Sequence, residues 1–415
     1  MLRTILLALV CVMIGLYAGY QLPRGAGLVA SLSNLASGSN PDDYSGLASH
    51  QALLDFQSTL DGGRQMVLAD ARTEQEAIEG MRWLLRVAAM STHILADANP
   101  AAPRFQRMDT WVRKAGGDNP DAEYYLAAID GRHDYRITGN LGTVKHLSFT
   151  VNAGQGMERR RQVGYFNERD LTADDEGNFT LLLHKGEPGK DEGEEADWVQ
   201  IPEDASAVLV RVYIADRDQE RLPELDIEVE GGNPPYEPPD DEAMAAAITG
   251  TSFAFFVLTN LHRTVLPELM ETPNTFIRAT PERLGKDISA ADNLYMLGSY
   301  QLASDEALVI RVQPPATRYW NLTLETRWHE IYDYLTRHTS RTLQDVTESA
   351  DGSVEFVVSH RDPGHPNWLD TSGHAFGFLT LRWLDVEHDD VPMPQWQVVK
   401  LAALDDASDL LARSP

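Results

Sequence analysis

The amino-acid sequence predicts an α+β protein of two duplicated helix-plus-β units, preceded by an N-terminal helical segment and a membrane anchor. Three observations predict this arrangement: an uncharged N-terminal run, a helical region that gives way to β-rich sequence, and a pattern that recurs in the second half. At 415 residues the chain is too long for one ordinary core, so two domains or one duplicated domain are expected. Hydrophobic residues make up 43% of the chain, which is enough to fill two such cores.

The N-terminal run from Thr4 to Leu22 contains 19 residues without a charge, close to the roughly 20 that span a bilayer as a helix. It is either an uncleaved anchor or a long signal peptide. The poor cleavage site at Leu16 to Ala18, with Arg24 soon afterwards, favours the anchor. In both cases the remainder is exported. We therefore expect a protein anchored in the inner membrane, with its soluble part in the periplasm or outside the cell.

Charge and cysteine content exclude several classes of function. A formal net charge of −28 repels phosphate backbones and anionic headgroups, so we expect no nucleic-acid partner and no electrostatic contact with a membrane. The single cysteine, Cys11, lies inside the N-terminal run, so the soluble part has no disulfide and no cysteine nucleophile. No phosphate loop, dinucleotide glycine pattern or GxSxG elbow is present, which argues against a nucleotide enzyme. We predict no cofactor.

Two helices are predicted after a small, polar stalk that ends near residue 43. The first begins at His50 and is expected to end at Gly62-Gly63. The second begins at a capping box, Thr73-x-x-Glu76, in which two side chains satisfy the free amides of the helix end. Asn99-Pro100 stops it. The apolar positions expected to share its core face are Ile78, Met81, Leu85, Ala88 and Leu95.

A third helix is predicted to open the second unit, where Asp240 and Asp241 precede a long uncharged stretch. Its several threonines, with Asn260, argue against a membrane span. The acidic, proline-rich segment from Asp216 to Glu242 is the predicted linker between the units. The predicted divisions are an anchor or signal at 1–22, a stalk and helical lead-in at 23–72, a first unit at 73–235 and a second unit at 236–402.

The duplication is predicted from strands and aromatic positions that recur at a constant offset. Gly177 precedes an alternating stretch, NFTLLL, and Gly352 precedes a similar stretch, SVEFVV. The separations are 170 residues for Tyr125 and Tyr295, 170 for Trp198 and Trp368, and 171 for Arg211 and Arg382. A constant offset of this kind is typical of an internal duplication.

Four segments of the chain resemble a known bacterial family. They are GGDNPDAEYYLAAID (residues 116–130), YRITG (135–139), RYWNLTL (318–324) and DPGHPNWLDTSGHAFGFLTLRW (362–383). Together they resemble the family of domain of unknown function 1214, over roughly residues 73 to 400. The resemblance implies a mostly antiparallel, jelly-roll-like β-sandwich, often in exported proteins. It brings no settled activity and no accepted catalytic residues.

The segment from Asp362 to Trp383 can be explained in large part as turn and strand. Asp362-Pro363-Gly364 is turn chemistry, and Phe378 onward alternates as a strand. Trp368 is expected to be buried. Polar residues remain that have no clear equivalents around Trp198 in the first unit. They are His365, Asn367, Asp370 and His374, and we expect them to line a cleft with Trp368 beneath them.

Metal and triad chemistry are weaker alternatives for the same segment. The ligand types for a metal are present in His360, His365, His374, Asp362 and Asp370, but no spacing places them on one face, and we predict no metal site. Ser372, His374 and Asp370 are too close in sequence for a triad, whose members normally come from separate segments. A second polar cluster, Asp130, His133 and Asp134, is expected to be a turn between strands.

Two functions from different classes remain open. The first is a membrane-tethered module that binds a small or sugar-like ligand in a cleft near the C-terminal motif, because sugar rings stack on flat aromatic faces. Its candidate binding residues are Asn367, Trp368, Tyr319, Trp320 and Arg382. The second is an exported hydrolase or lyase, with His365 or His374 as general base and a carboxylate such as Asp370 to orient it.

Overall fold

The structure is a computed structural model that describes residues 44–114, 116–154, 160–187, 196–235, 237–264, 267–279, 292–386 and 391–404. The predicted anchor at 1–22, with Cys11, and the stalk residues 23–43 lie outside the described residues. The helices within these ranges are α1 (Ala48–Asp70), α2 (Glu74–Ser91), α3 (Asp241–Thr259), α4 (Leu261–Thr264) and α5 (Pro267–Glu271). A π-helical turn, Thr92–Ala96, continues α2.

Helices α1, α2 and α3 pack into one helical layer. Their shared core includes Val67 of α1, Trp83 and Val87 of α2, and Phe255 of α3, all at most 1% exposed. Trp328, from the second β unit, enters the same core and stacks on Trp83 at 5.4 Å. The predicted third helix is therefore present, but it packs on the helices that precede the first unit.

Helix α1 does not end at Gly62-Gly63 as the sequence predicted; it continues to Asp70. Glycine is tolerated here because the helices approach each other closely. A Cβ atom on Gly63 would lie 3.0 Å from Leu84 Cδ2 and 3.1 Å from the Phe255 ring. The glycine therefore serves helix packing and does not mark a turn.

Helix α2 begins as predicted but buries a different face. The Glu76 backbone N–H donates to Thr73 Oγ1 at 3.1 Å, which confirms the N-cap. Ile78 and Leu85, however, are 63% and 72% exposed. The core face instead carries Trp83, Leu84 and Val87. Because apolar residues occur on both sides of this helix, spacing alone could not identify the buried side.

Each β unit contains nine strands within the described residues. In the first unit they are β1 (Gln106–Arg107), β2 (Ala122–Ala128), β3 (Tyr135–Asn140), β4 (His146–Ala153), β5 (Arg161–Asn167), β6 (Asn178–His184), β7 (Asp197–Gln200), β8 (Ala205–Tyr213) and β9 (Glu224–Val229). In the second unit they are β10 (Thr275–Ala279), β11 (Asn293–Gln301), β12 (Glu306–Val312), β13 (Trp320–Glu325), β14 (Ser340–Thr342), β15 (Val354–Ser359), β16 (Trp368–Asp370), β17 (Phe376–Leu384) and β18 (Gln395–Lys400).

The two units have the same topology. The first has sheets of order β1-β2-β8-β4-β5 and β7-β6-β3-β9, and the second has β10-β11-β17-β13-β14 and β16-β15-β12-β18. Each strand of the first unit corresponds to the strand nine places later. The single parallel pairing in each unit, β6 with β7 and β15 with β16, also corresponds. The predicted duplication is therefore confirmed.

Strand register corrects one of the predicted equivalences. Tyr295 lies opposite Arg382, and the residue opposite Arg211 is Tyr124, so Tyr124 is the equivalent of Tyr295 and Tyr125 is not. The buried arginines make equivalent bonds. Arg211 donates to Thr150 Oγ1 at 2.8 Å, and Arg382 donates to Thr323 Oγ1 at 2.9 Å.

The two sheets of each unit bury one core between them. In the first unit this core contains Ile137, Phe149, Leu181 and Val210, each 0% exposed. The corresponding core of the second unit contains Ile310, Leu322, Phe356 and Leu381, which are also 0% exposed. The predicted fold class, an α+β protein with mostly antiparallel sandwich-like units and an N-terminal helix, is confirmed for the described residues.

Helix α3 is long and apolar enough to cross a membrane by length and composition. Its contacts nevertheless tie it to the helical layer. Asp241 accepts hydrogen bonds from the backbone N–H groups of Ala48 and Ser49 at 2.8 and 2.9 Å, and Phe255 is fully buried. These contacts hold α3 against the helical layer, and the sequence-based prediction that α3 is not a membrane span stays a prediction.

The adjacent glycines of α1 provide a matched test of helix packing. We expect Gly63→Ala to lower the free energy of unfolding by about 1–3 kcal/mol, because the new methyl group collides with Leu84 and Phe255. Gly62→Ala should raise it by up to about 1 kcal/mol, because nothing lies within 4 Å and alanine favours a helix. Urea unfolding measures both. Equal effects of the two substitutions would contradict the close approach of the helices.

Candidate functional site

The C-terminal motif forms a turn, an edge strand and a central strand. The Gly364 backbone N–H donates to Asp362 Oδ1 at 2.7 Å, as expected for the predicted turn. Strand β16 follows at the edge of its sheet, and β17 runs between β11 and β13. Trp368 is only partly buried, so the prediction that it lies buried beneath the polar residues is wrong. Its ring packs edge-on against His338 at 6.1 Å, and its Nε1 donates to Ser359 Oγ at 3.0 Å.

Three of the predicted polar residues bond to different neighbours. Asn367 is 1% exposed, and its side-chain amide donates to the carbonyls of Thr347 and Glu355 at 2.7 and 2.9 Å. Asp370 pairs with Arg337 at 2.7 Å. The nearest ion pair of His365 is with Glu355, and its atoms are 3.5 Å apart. These contacts stabilise the loop. They do not orient the three side chains toward one shared ligand site.

His374 joins the second β unit to helix α2. Its Nε2 lies 2.6 Å from Glu79 Oε2 and its ring stacks on Tyr332 at 4.5 Å. Burial alone would raise the pKa of Glu79. The hydrogen bond and the charge of His374 outweigh this effect, and the pKa of Glu79 lies below its usual range. His374 is 5% exposed. It therefore acts as a contact between layers.

Tyr319, Trp320 and Arg382 are too buried for the predicted ligand-binding role. Both aromatic side chains are 0% exposed, and Arg382 is 3% exposed. The Tyr319 hydroxyl donates to Asp121 Oδ2 at 3.0 Å. Burial raises the pKa of Asp121 to about 6. Since a stacked sugar needs an open aromatic face, the ligand-binding assignment of Tyr319 and Trp320 is corrected.

The weaker alternatives also receive no geometric support. The Asp370 carboxylate accepts from the Ser372 backbone N–H, and within the described residues the buried Ser372 hydroxyl has no hydrogen-bond partner. Over the same residues, no three His, Cys, Asp or Glu side chains are grouped so that they could hold a metal ion. Asp130 binds Arg132 in a turn between β2 and β3, as predicted for the second polar cluster.

A cleft of about 690 Å³ lies between the helical layer and one end of the five-stranded sheet of the second unit. Its volume falls within the range of small-molecule sites. Ala375 and Phe376, from the C-terminal motif at the start of β17, form one wall. The remaining lining residues are Arg72, Thr73, Glu76, His262, Arg263, Pro267, Met270, Glu271, Gln301 and Arg327.

The inner wall of the cleft is a buried ion pair laid over an aromatic ring. Arg327 Nε donates to Glu76 Oε2 at 2.9 Å, and both side chains are at most 6% exposed. The Arg327 guanidinium lies over the Phe376 ring, 4.3 Å from its centroid. Because Arg327 and Phe376 are each 5% exposed, this arrangement closes the inner end of the cleft.

A second charged group lies where α1 ends. Arg263 forms two hydrogen bonds to Asp70, at 2.6 and 2.7 Å, and His262 Nε2 lies 2.8 Å from the same carboxylate. Burial lowers the pKa of His262 to about 4, although the bond to Asp70 opposes the shift. His262 is therefore neutral at pH 7. The charge of Arg263 is compensated by Asp70.

The rim of the cleft carries polar side chains that the fold does not use. The Arg72 guanidinium and the Glu271 carboxylate are exposed and have no ion pair with any residue that the structure describes. Gln301 is also exposed at the rim. The side chains of Arg72, Glu271 and Gln301 thus surround one opening. Together they can donate hydrogen bonds to a polar ligand and accept hydrogen bonds from it.

A buried histidine and carboxylate lie behind this wall, in the turn that contains Arg327. His329 Nδ1 is 2.9 Å from Glu325 Oε2, and the other oxygen of Glu325 accepts from Thr380 Oγ1 at 2.5 Å. The His329 ring stacks on Phe378 at 4.2 Å. Its Nε2 is buried and has no hydrogen-bond partner among the described residues.

The backbone and the charge around this pair are unusual. The backbone of His329 has a φ of 55°, in the left-handed region that residues other than glycine rarely adopt. Backbone strain of this kind often occurs at functional sites. Burial alone would raise the pKa of Glu325. The hydrogen bond to His329 and the charge of Arg382 outweigh this effect, and the pKa of Glu325 lies below its usual range. Glu325 therefore remains ionised and holds the Nδ1 side of the imidazole.

Comparison with known proteins identifies the β units. Residues 123–217 and 299–387 match the model of the family described as protein of unknown function, DUF1214. One match falls in each β unit, and the matched segments are called the first and second DUF1214 copy below. A solved structure of an uncharacterised protein from Burkholderia cenocepacia is 29% identical, with a TM-score of 0.79, and the match covers 86% of this chain and 98% of that one.

Further comparisons add no function. The VPA0106 protein from Vibrio parahaemolyticus is 13% identical, with a TM-score of 0.47, and the match covers 77% of this chain and 97% of that one. No curated protein matches the chain. The family assignment therefore supports the domain and the duplication, and it leaves the activity open.

The two DUF1214 copies differ at the buried pair. Strand register makes Asn152 the equivalent of Glu325, and Leu209 the equivalent of Thr380. The pair is therefore a feature of the second copy. The sequence analysis identified neither the Glu325–His329 pair nor the cleft, although RWHE (residues 327–330) closely follows the RYWNLTL segment. A difference between the copies at these strand positions was the signal that could have found it.

The two histidines of the motif should differ in their effect on stability. We expect His374→Ala to lower the free energy of unfolding by about 2–3 kcal/mol, because it leaves the partly buried Glu79 without its partner. His365→Ala should cost less than about 1 kcal/mol, since its contact with Glu355 is long and partly exposed. Urea denaturation compares the two variants. A cost for His365→Ala equal to that for His374→Ala would contradict these assignments.

Proposed function

We propose that this protein binds a small polyhydroxylated acid, such as a uronic sugar, in the cleft between the helical layer and the second DUF1214 copy. The observation that carries the proposal is the rim of the 690 Å³ cleft, where the side chains of Arg72, Glu271 and Gln301 have no partner among the residues that the structure describes. A ligand carboxylate would accept from Arg72. Ligand hydroxyls would donate hydrogen bonds to the Glu271 carboxylate and form hydrogen bonds with the Gln301 amide.

The inner wall supports the same class of ligand. Pro267 and Met270 supply apolar surface on which the C–H face of a sugar ring could pack, and the buried Arg327–Glu76 pair closes the inner end. Most of the cations in the cleft are already paired, because Arg263 binds Asp70 and Arg327 binds Glu76. The cleft therefore offers one free guanidinium. This favours a ligand with a single carboxylate over a polyanion.

The N-terminal sequence supports a location for this function. The uncharged run at Thr4 to Leu22 would tether the protein to the inner membrane, with the cleft on the exported side. Binding there would give the protein access to sugars outside the cytoplasm.

Isothermal titration calorimetry with glucuronate, and with glucose as a neutral control, tests the proposal. We expect glucuronate to bind at least about tenfold more tightly than glucose, because a hydrogen bond to a charged group contributes about 1.5–3 kcal/mol. Arg72→Gln should remove this preference. Arg104→Gln is the matched control, since Arg104 is also an exposed arginine without a partner among the described residues. No binding of either sugar, or equal losses in both variants, would contradict the proposal.

A second candidate function is favoured by the Glu325–His329 pair. A carboxylate that binds Nδ1 leaves Nε2 free to accept a proton, which is the arrangement of a general base. The first DUF1214 copy lacks this pair. The alternative is therefore an exported hydrolase or lyase that uses Glu325 and His329, in place of the histidines and aspartate of the C-terminal motif.

The two candidate functions predict different results for His329→Gln. If the protein is an enzyme, this variant should lose turnover of oligouronate substrates by at least about 100-fold, in line with loss of a general base, while glucuronate affinity stays unchanged. Product formation can be followed by absorbance and by reducing-end assays. Circular dichroism checks that the variant is folded. Absence of turnover by the unmodified protein would leave binding as the function and reject the enzyme.

A further inference from the structure

Helix α3 exposes an uncharged stripe on the face opposite its buried residues. The stripe consists of Ala243, Ala246, Thr249, Phe253, Phe256 and Val257. Spacings of mostly three or four residues place them on one side of the helix. Phe253, Phe256 and Val257 are 38%, 55% and 38% exposed. The fully buried positions, Thr251, Phe255 and Thr259, lie on the other side.

The composition of α3 is unusual for a helix on the surface of a water-soluble domain. Such a helix normally carries charged residues on its exposed side. From Ala243 to Asn260 this helix has none, and by length and composition it could cross a membrane. The α3 stripe therefore has the character of a surface that contacts an apolar environment.

The helical layer is joined directly to the segment that precedes α1. Asp241, at the start of α3, accepts hydrogen bonds from Ala48 and Ser49 at the start of α1. Farther along, the hydroxyls of Thr59 and Ser252 are 2.9 Å apart, so α1 and α3 run side by side in the same direction. The chain that leads from the N-terminus therefore enters the molecule beside the beginning of α3.

We propose that the α3 stripe lies on the lipid bilayer in which the N-terminal run is anchored. The 21 residues at 23–43 separate that run from the described chain, and they span at most about 70 Å when fully extended. If the N-terminal run is the predicted anchor, this length limits how far the helical layer can lie from the membrane. A stripe with exposed phenylalanines and no charge can enter the interface between headgroups and acyl chains.

The net charge determines which lipids suit this contact. At −28 the protein is repelled by anionic headgroups, so the contact must depend on apolar burial. We therefore expect it to form on zwitterionic phosphatidylcholine and to weaken when phosphatidylglycerol is added. A second copy of the chain and the N-terminal run itself are the other possible occupants of the stripe, and the experiment distinguishes them.

Spin labelling of the full chain in phosphatidylcholine vesicles tests the proposal. Cys11 is the only cysteine, so a Cys11→Ser background allows one label at Val257→Cys. A label at Leu222→Cys, an apolar residue between β8 and β9 of the first β unit that is 46% exposed, is the matched control. We expect the label at position 257 to lose accessibility to a water-soluble nickel complex and to gain accessibility to oxygen, which concentrates in lipid. The control label should remain accessible to nickel.

Each other outcome would overturn the proposal. A label at position 257 that stays as accessible to nickel as the control means that the stripe faces water. Low accessibility to both reagents means that protein covers the stripe, and dipolar coupling between labels then separates a second copy from the N-terminal run. Adding Phe253→Asp and Phe256→Asp to the labelled chain should restore nickel accessibility if the stripe rests on lipid. Circular dichroism confirms that this variant is folded.

Discussion

The buried carboxylate of Glu76 connects the helical layer to the second DUF1214 copy. It accepts from the Arg72 backbone N–H at 2.7 Å and from Arg327 Nε at 2.9 Å, and the Glu76 carbonyl accepts from Trp328 Nε1 at 2.9 Å. One residue therefore fixes the start of α2, the turn that contains His329, and the inner wall of the cleft. Removing one partner of a buried ion pair leaves a charge without compensation, which is strongly destabilising. The cleft depends on this arrangement because its two sides come from parts of the chain about 250 residues apart.

Duplication accounts for the framework, and divergence accounts for the candidate site. Both copies retain the nine-strand topology, the parallel strand pair and the buried arginine that bonds to a threonine. Such features maintain a sheet in either copy. Glu325 and Thr380 are replaced by Asn152 and Leu209 in the first copy, so the ionised network around His329 is not required for the fold itself.

The sequence was most informative where a local rule acts alone. The N-cap at Thr73 depends on two neighbouring residues, and the strands after Gly177 and Gly352 depend on short local runs, so both were predicted correctly. The half-buried alternation expected after Gly352 was wrong, because β15 is buried on both faces. The end of α1 and the core face of α2 were wrong, because Gly63 and Trp83 meet residues distant in sequence. The cleft could not be predicted for the same reason. Its residues lie between positions 72 and 376, and only the fold brings them together.

The helical layer has a consequence for the synthesis of the chain. Its core combines α1 and α2 with Phe255 and Trp328, which follow the whole first DUF1214 copy in sequence. At about 5–20 residues per second, the ribosome takes roughly 10–30 s to advance from the end of α2 to Phe255. During that interval Trp83, Leu84 and Val87 can pack on α1 but lack Phe255 and Trp328, so part of their surface stays exposed. A nascent chain with these residues exposed needs protection from aggregation, so the order of synthesis, and not only the final stability, governs how much of this protein reaches its folded state.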